Sequence, residues 1–89
     1  MNKLRRKALA KIITKLEELE SLRSEIQEML EEVQDEEQEA LDNMPESLQE
    51  SERGQQMEEY IDTMASVVGD LDCMDLDGLA DQLREIAEV

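Results

Sequence analysis

The chain has 89 residues, 39% hydrophobic and 38% charged, with a formal charge of −16 at pH 7. A chain of that length buries one limited core, and a charge of that sign removes the basic surface on which direct nucleic-acid binding depends. It has no histidine, and its one cysteine, Cys73, is isolated from any candidate base, so the usual nucleophilic dyads and triads cannot be assembled.

The first residues, Met1-Asn2-Lys3-Leu4-Arg5-Arg6-Lys7, carry the charge of a signal-peptide start. The next residues do not fit one, because Lys11 and Lys15 interrupt the apolar run and Glu17-Glu18 end it. No stretch approaches the roughly 20 apolar residues that cross a bilayer, and the expected location is the cytosol. A lone cysteine excludes a disulfide within one chain and agrees with a reducing compartment. Cys73 reads as a small residue on or near a helix seam.

Tyr60 is the only aromatic residue, so the apolar content is Leu, Ile, Val, Met and Ala, which suits helix seams better than sheet cores. From Leu4 onward apolar residues recur at spacings of three and four: Leu9, Ile12, Leu16, Leu19, Ile26, Leu30, Val33, Ala40 and Met44. They fit alternating heptad seam positions, with Arg23 and Glu37 as polar intruders. Ala8, Ile13, Leu22, Met29 and Leu41 flank this stripe and widen it toward a bundle face. With neither Gly nor Pro before Pro45, the pattern predicts one helix over about residues 2–43, about 60 Å long at 1.5 Å per residue.

Pro45 should end that helix, since the residue before a proline is pushed out of the α region, and Asn43 tolerates a left-handed C-terminal conformation. Residues 43–51 form the predicted turn, with room for a short helical turn at 46–50. Ser47 with Glu50 fits a capping box, and Ser51 is a second candidate cap.

A second periodic run occupies about residues 51–87: Met57, Tyr60/Ile61, Met64, Val67/Val68, Leu71, Met74, Leu79, Leu83 and Ile86. Its register slips near residues 72–78, and Gly69 and Gly78 each cost a helix about 1 kcal/mol relative to Ala. A kink or short break is expected there. The expected fold is an all-α antiparallel hairpin, read as a single helical domain over 1–89. A lone hairpin leaves one side of each stripe wet, and with no disulfide or metal staple two copies should associate as a dimeric four-helix bundle or coiled coil.

Charge is unevenly placed. Residues 1–15 hold Lys3, Arg5, Arg6, Lys7, Lys11 and Lys15 and no acid. In a hairpin they would lie beside Asp70, Asp72, Asp75, Asp77, Asp81, Glu85 and Glu88, and pair with them. Residues 17–62 hold eighteen acids against Arg23 and Arg53. Charge runs of this kind are usually solvated faces. Here, however, the first helix has bases at its start and acids at its end, the reverse of what the helix dipole favours. A surface selected for stability alone would not be so arranged, and a basic partner is the expected reason.

Other chemistry finds no support in the residues. Di-iron carboxylate bundles require Glu-x-x-His pairs, and three glycines form no phosphate loop. Cys73-Met74-Asp75-Leu76-Asp77-Gly78 has the glycine of a calcium loop, but its first and twelfth positions would be Cys73 and Arg84 instead of acids. No metal site, cofactor or catalytic residue is expected, and anionic lipid would repel the acidic remainder of the chain.

The segment Asp35-Glu36-Glu37-Gln38-Glu39-Ala40-Leu41-Asp42-Asn43-Met44-Pro45-Glu46-Ser47-Leu48-Gln49-Glu50-Ser51-Glu52-Arg53-Gly54, continuing to Met57-Glu58, resembles a group of small acidic helical proteins of bacteria and their phages. The resemblance is strongest over residues 35–62. It carries over little biochemical function, but implies a phage or mobile-element setting, in which small accessory proteins often counter host defences. The region of Gly69, Cys73 and Gly78 departs from the Glu- and Leu-rich pattern of that group.

The candidate partner-binding residues are therefore Glu36, Glu37, Glu39, Asp42, Asn43, Glu46, Glu50, Glu52 and Arg53. The plainer account is that Asn43 and Pro45 end a helix, Ser47 caps the next, and Arg53 pairs with a neighbouring acid. Three functions compete: an acidic interaction protein occupying a basic surface of a host protein, such as the nucleic-acid groove of a defence enzyme; an oligomeric sponge for a small nucleotide, with Arg5, Arg6 and Lys7 or Arg53 on the phosphates and Tyr60 stacked on the base; and a purely structural helical adaptor.

Overall fold

A computed structural model of the chain describes residues 1–87; the part expected for Glu88 lies outside them. The described residues are all-helical and contain no strand: α1 (Lys3–Asp42), α2 (Glu46–Gln49), α3 (Glu52–Asp72) and α4 (Leu76–Ala87).

Each helix end has a local cause. Asn2 caps α1, its Oδ1 accepting from the Arg5 N–H at 2.9 Å. At the far end the Asn43 N–H donates to Glu39 O at 3.0 Å and the Met44 N–H to Leu41 O at 3.1 Å. The left-handed conformation expected at Asn43 is not adopted, since no described non-glycine residue has positive φ. The side chain of Gln49 does that work instead. Its Nε2 donates to Met44 O at 2.9 Å and Asp42 O at 3.4 Å, satisfying carbonyls that α1 leaves open.

α2 starts directly after Pro45, whose carbonyl accepts from Leu48 at 2.8 Å and Gln49 at 3.1 Å. Ser47 therefore lies inside a helix and caps nothing. Ser51 is the cap of α3: its Oγ accepts from the Gly54 N–H at 3.4 Å and donates to Leu48 O. Gly54 is buried because α2 runs against the first turn of α3. A Cβ there would stand 2.1 Å from Gln49 O and 2.7 Å from Leu48 O, so only glycine fits.

The second periodic run is two helices, divided at residues 73–75. The Cys73 N–H still donates to Gly69 O at 3.1 Å. Asp75 then caps α4, accepting from the Gly78 N–H at 2.9 Å through Oδ1 and from Leu79 N–H at 3.2 Å through its carbonyl. The Asx cap accounts for the register slip, and it occupies the stretch that carried the calcium-loop glycine. Gly69 stays within α3.

The chain divides into two compact units, residues 1–25 with 74–89 and residues 26–73, and the boundary on the returning side is the α3–α4 break. In unit 1 the core is Ile13 of α1 with Leu76 and Ala80 of α4, Ala80 being 1% exposed. Arg84 of α4 there bonds Glu17 of α1 and, at 2.6 Å, Asp81. In unit 2 the core is Leu41 of α1 with Ile61 and Gly54 of α3. Gln27 Nε2 of α1 donates to Asp72 of α3 at 3.4 Å, so in this unit the far end of α3 lies beside the middle of α1.

The covered face of α1 is not the stripe expected. Leu9, Leu16 and Leu30 are on it, but its other members are Ile13, Glu20, Arg23, Ser24, Gln27, Gln34, Glu37 and Leu41. Ile12, Leu19, Ile26 and Val33 are instead 46–51% exposed. α1 carries two adjacent stripes one residue apart, about 100° of helix rotation, and the one turned inward is the more polar. It tolerates this because Glu20 and Arg23 satisfy one another. Arg23 Nη2 lies 2.6 Å from Glu20, and the two side chains are 15% and 22% exposed.

Candidate functional site

Unit 2 holds sixteen of the 25 acids and, among bases, Arg53 alone; all but one of the net negative charges therefore belong to it. Unit 1, with eight of the nine bases, is close to neutral. The N-terminal bases were expected to pair with the C-terminal acids. Among the described residues Lys3, Arg5, Lys7 and Lys11 form no ion pair, Lys15 pairs with Glu18 at 3.5 Å, and Arg84 joins α4 to α1 through Glu17. Long flexible lysine and arginine chains lose rotamer entropy when fixed by an exposed acid, which leaves such pairs close to energetically neutral.

The residues expected to meet a partner lie on the last turns of α1, on α2, on the first turn of α3 and, for Asn43 and Glu50, in the links between these helices. Glu36, Glu39, Asp42, Asn43, Glu46, Glu50, Glu52 and Arg53 are exposed. Glu37 is half-buried on the inward face, as its place among the seam positions implied, and presents less to a partner than the others. Asp42 accepts from Gln38 Nε2 at 3.0 Å. Arg53 forms no ion pair among the described residues; it lines a pocket with Ala40, Met44, Leu48 and Met57. The pair expected with a neighbouring acid is not formed.

Two further features were not anticipated. Gln38, Glu58 and Asp62 line a polar cleft over Leu41 and Ile61, adding acids from α3 to those of α1. Gln49 organises the turn by bonding α1's last carbonyls, a role with no short-range sequence signature because its acceptors lie five and seven residues away.

The residues considered for nucleotide phosphate are divided between the units. Arg5, Arg6 and Lys7 belong to unit 1, whereas Arg53 and Tyr60 belong to unit 2, with Tyr60 55% exposed. Arg5 lines an apolar pocket with Met1, Ala8, Leu9 and Ile86. Among the described residues no group of three or more His, Cys, Asp or Glu side chains is placed to hold a metal ion, and no helix is long and apolar enough to cross a membrane. Cys73 is an exposed thiol.

Two groups have shifted acidities, both through hydrogen-bonded ion pairs. The Arg23 guanidinium bonded to Glu20 holds that carboxyl below its ordinary range. Arg84 is raised, first by its bond to Asp81 and then by Glu17. The Glu20–Arg23 pair lies within α1, and Arg84 bridges Asp81 on its own helix and Glu17 on α1.

What the surface offers chemically is therefore charge and apolar contact. Fourteen large hydrophobic side chains are exposed among the described residues, against five hydrophobic residues that are buried. Comparison with protein-family models, curated proteins and solved structures finds no match for this chain.

Proposed function

We propose that this protein is a non-catalytic acidic interaction module of the cytosol, which docks the turn-bearing end of unit 2 onto a basic surface of another protein. The observation that carries this reading is the segregation of charge: sixteen acids share unit 2 with one base, Arg53, which itself forms no ion pair among the described residues. α1 has no acid in its first turn and no base in its last, so its dipole opposes this placement. An arrangement that costs stability at both ends of a helix is explained by a partner of opposite potential, which complementary fields would also steer into place.

In this reading α1 is paired antiparallel in each unit with its returning helix, α4 in unit 1 and α3 in unit 2, as a helical hairpin would be. Two chains then associate as a four-helix bundle or coiled coil, which covers the exposed hydrophobic residues. The resemblance of residues 35–62 to acidic phage and bacterial proteins adds a setting. The basic surface is the nucleic-acid groove of a host defence protein, and occupying it inhibits that protein.

The test is capture of basic host proteins on the immobilised chain, followed by competition. Capture should weaken as salt rises, and duplex DNA should displace the captured protein. Neutralising Glu36, Glu39, Asp42, Glu46 and Glu50 to Gln or Asn should abolish capture while leaving the helical circular dichroism spectrum unchanged. Binding that survives these changes, or that is indifferent to salt, would overturn the proposal.

A further inference from the structure

Within unit 1 the uncovered side of the helices is as regular as the covered one. On α1, Leu9, Ile13, Leu16 and Glu20 turn inward, while Ala8, Ile12, Lys15 and Leu19, each one residue earlier, are exposed. On α4, Ala80, Leu83 and Ala87 turn inward, while Leu79, Gln82 and Ile86, again one residue earlier, are exposed. One residue is about 100° of helix rotation, so each helix carries a second row close to a right angle from its first. The two second rows lie on one side of the unit. Ile86 shares an apolar groove with Met1, Arg5 and Ala8, and Ala8 continues into the groove of Ile12, Leu16 and Leu19. Two rows at a right angle are what a helix needs to meet two neighbours at one corner of a four-helix bundle.

We propose that the second rows of unit 1 are covered by unit 1 of a second copy, related by a two-fold axis parallel to the helices, so that α1 of each copy lies on α4 of the other. This rests on the self-association stated above and assigns its helices; it uses no residue of the turn-bearing end of unit 2.

The charges choose the pairing. One residue further back, at the outer edges of the rows, stand Lys7 and Lys11 on α1 and Asp81 and Glu85 on α4, all exposed. Asp81 is held by Arg84, whereas Lys7, Lys11 and Glu85 form no ion pair among the described residues. Lys15, within its row, reaches Glu18 at the same edge at 3.5 Å. An axis parallel to the helices shifts nothing along them, so Ile86 of the other copy is level with Ala8, as Ile86 of the same chain is. Glu85 of the other copy then falls between Lys7 and Lys11, and the symmetry repeats this on the second seam and closes the assembly. Laying α1 on α1 of the other copy, with the two units fully overlapped, would instead bring Lys11 and Lys15 together across the seam and leave Glu85 facing acids.

The experiment uses the full chain. Sedimentation equilibrium across micromolar concentrations should find a dimer. Lys7→Glu with Lys11→Glu should weaken it about ten-fold, since the two-fold axis counts each exposed pair twice. Glu85→Lys alone should also weaken it, and the three changes together should restore it to within about three-fold. Circular dichroism checks that each variant stays helical. In a Cys73→Ser background, oxidising a mixture of Ala8→Cys and Ile86→Cys chains should give the mixed disulfide dimer in preference to either chain with itself. A monomeric wild type, predominant crosslinking of the Ala8→Cys chain to itself, or a helical triple variant that associates no better than the double would each overturn the inference. A monomer that still captures a basic protein would remove this inference and leave the docking reading standing; a dimer that captures none would do the reverse.

Discussion

Glycine 54 and glycine 69 are both in α3, and the structure predicts opposite results for the same substitution at the two positions. At Gly69 an added Cβ meets nothing within 4 Å. Gly69→Ala therefore gains only the helix propensity difference, about 1 kcal/mol, or about 4–8 °C in Tm for a domain of this size. At Gly54 the same Cβ falls 2.1 Å from Gln49 O and 2.6 Å from Gln49 C, backbone atoms that no rotamer change can move. α2 would have to retreat by more than an ångström, breaking the bond from Ser51 Oγ to Leu48 O. Overpacking of that kind costs about 1–3 kcal/mol, and the retreat also loosens the hold of Gln49 on the end of α1. After subtraction of the propensity gain, Gly54→Ala should lower Tm by several degrees. The assay is thermal unfolding followed by circular dichroism at 222 nm (the helical band), with all variants at one protein concentration because association shifts Tm. If Gly54→Ala melts at or above wild type, α2 does not press on α3 as described. If Gly69→Ala melts below it, that position is covered.

Other outcomes rest on the same structure. Gln49→Ala should destabilise by about 1 kcal/mol, because the half-buried Met44 carbonyl loses its donor while the exposed Asp42 carbonyl turns to water, read from the same melts. Glu20→Leu with Arg23→Leu should raise Tm, since paired hydrophobic residues replace a partly buried ion pair on the inward face of α1, whereas Arg23→Leu alone should lower it by stranding Glu20. Because the Glu20 carboxyl is depressed in the folded chain, its contribution is fully present above its unfolded pKa and is lost as pH falls through the lower folded value. Glu20→Gln should remove that part of the acid-side decline in Tm. Added salt should raise the Tm of the isolated chain by a few degrees, as screening over about 8 Å at physiological ionic strength relieves the crowding of acids in unit 2.

The parts of this fold that depend on near neighbours were legible in the residues. Pro45 and Ser51 act within four positions of themselves, and the run without Gly or Pro before Pro45 does extend as one helix. The choice between Ser47 and Ser51 was open because either serine had a suitable first turn after it. What decided it was Pro45 starting a helix of its own. The register of α1 was misjudged because two stripes overlap at Leu9, Leu16 and Leu30. Counting apolar residues favours the stripe containing Ile12, Leu19, Ile26 and Val33, and the chain turns the other one inward, where Glu20 and Arg23 neutralise each other. Hydrophobicity ranks stripes by their gain on burial but does not say which partner buries them. Gly54 was unreadable for a similar reason, since its need for a missing side chain comes from α2. The acidity of residues 35–62 was plain, whereas the cleft of Gln38, Glu58 and Asp62 required α3 to be brought beside α1.

The claim on which the functional account rests is that uncompensated charge in unit 2 drives recognition. The direct measurement is the dissociation constant for the captured basic protein as ionic strength is raised, for wild type and for the chain with Glu36, Glu39, Asp42, Glu46 and Glu50 neutralised. Wild-type affinity should fall about ten-fold or more between low and physiological salt, mainly through slower association, and the neutralised chain should bind weakly and respond little. Equal affinities for the two chains, with equal salt dependence, would contradict the account.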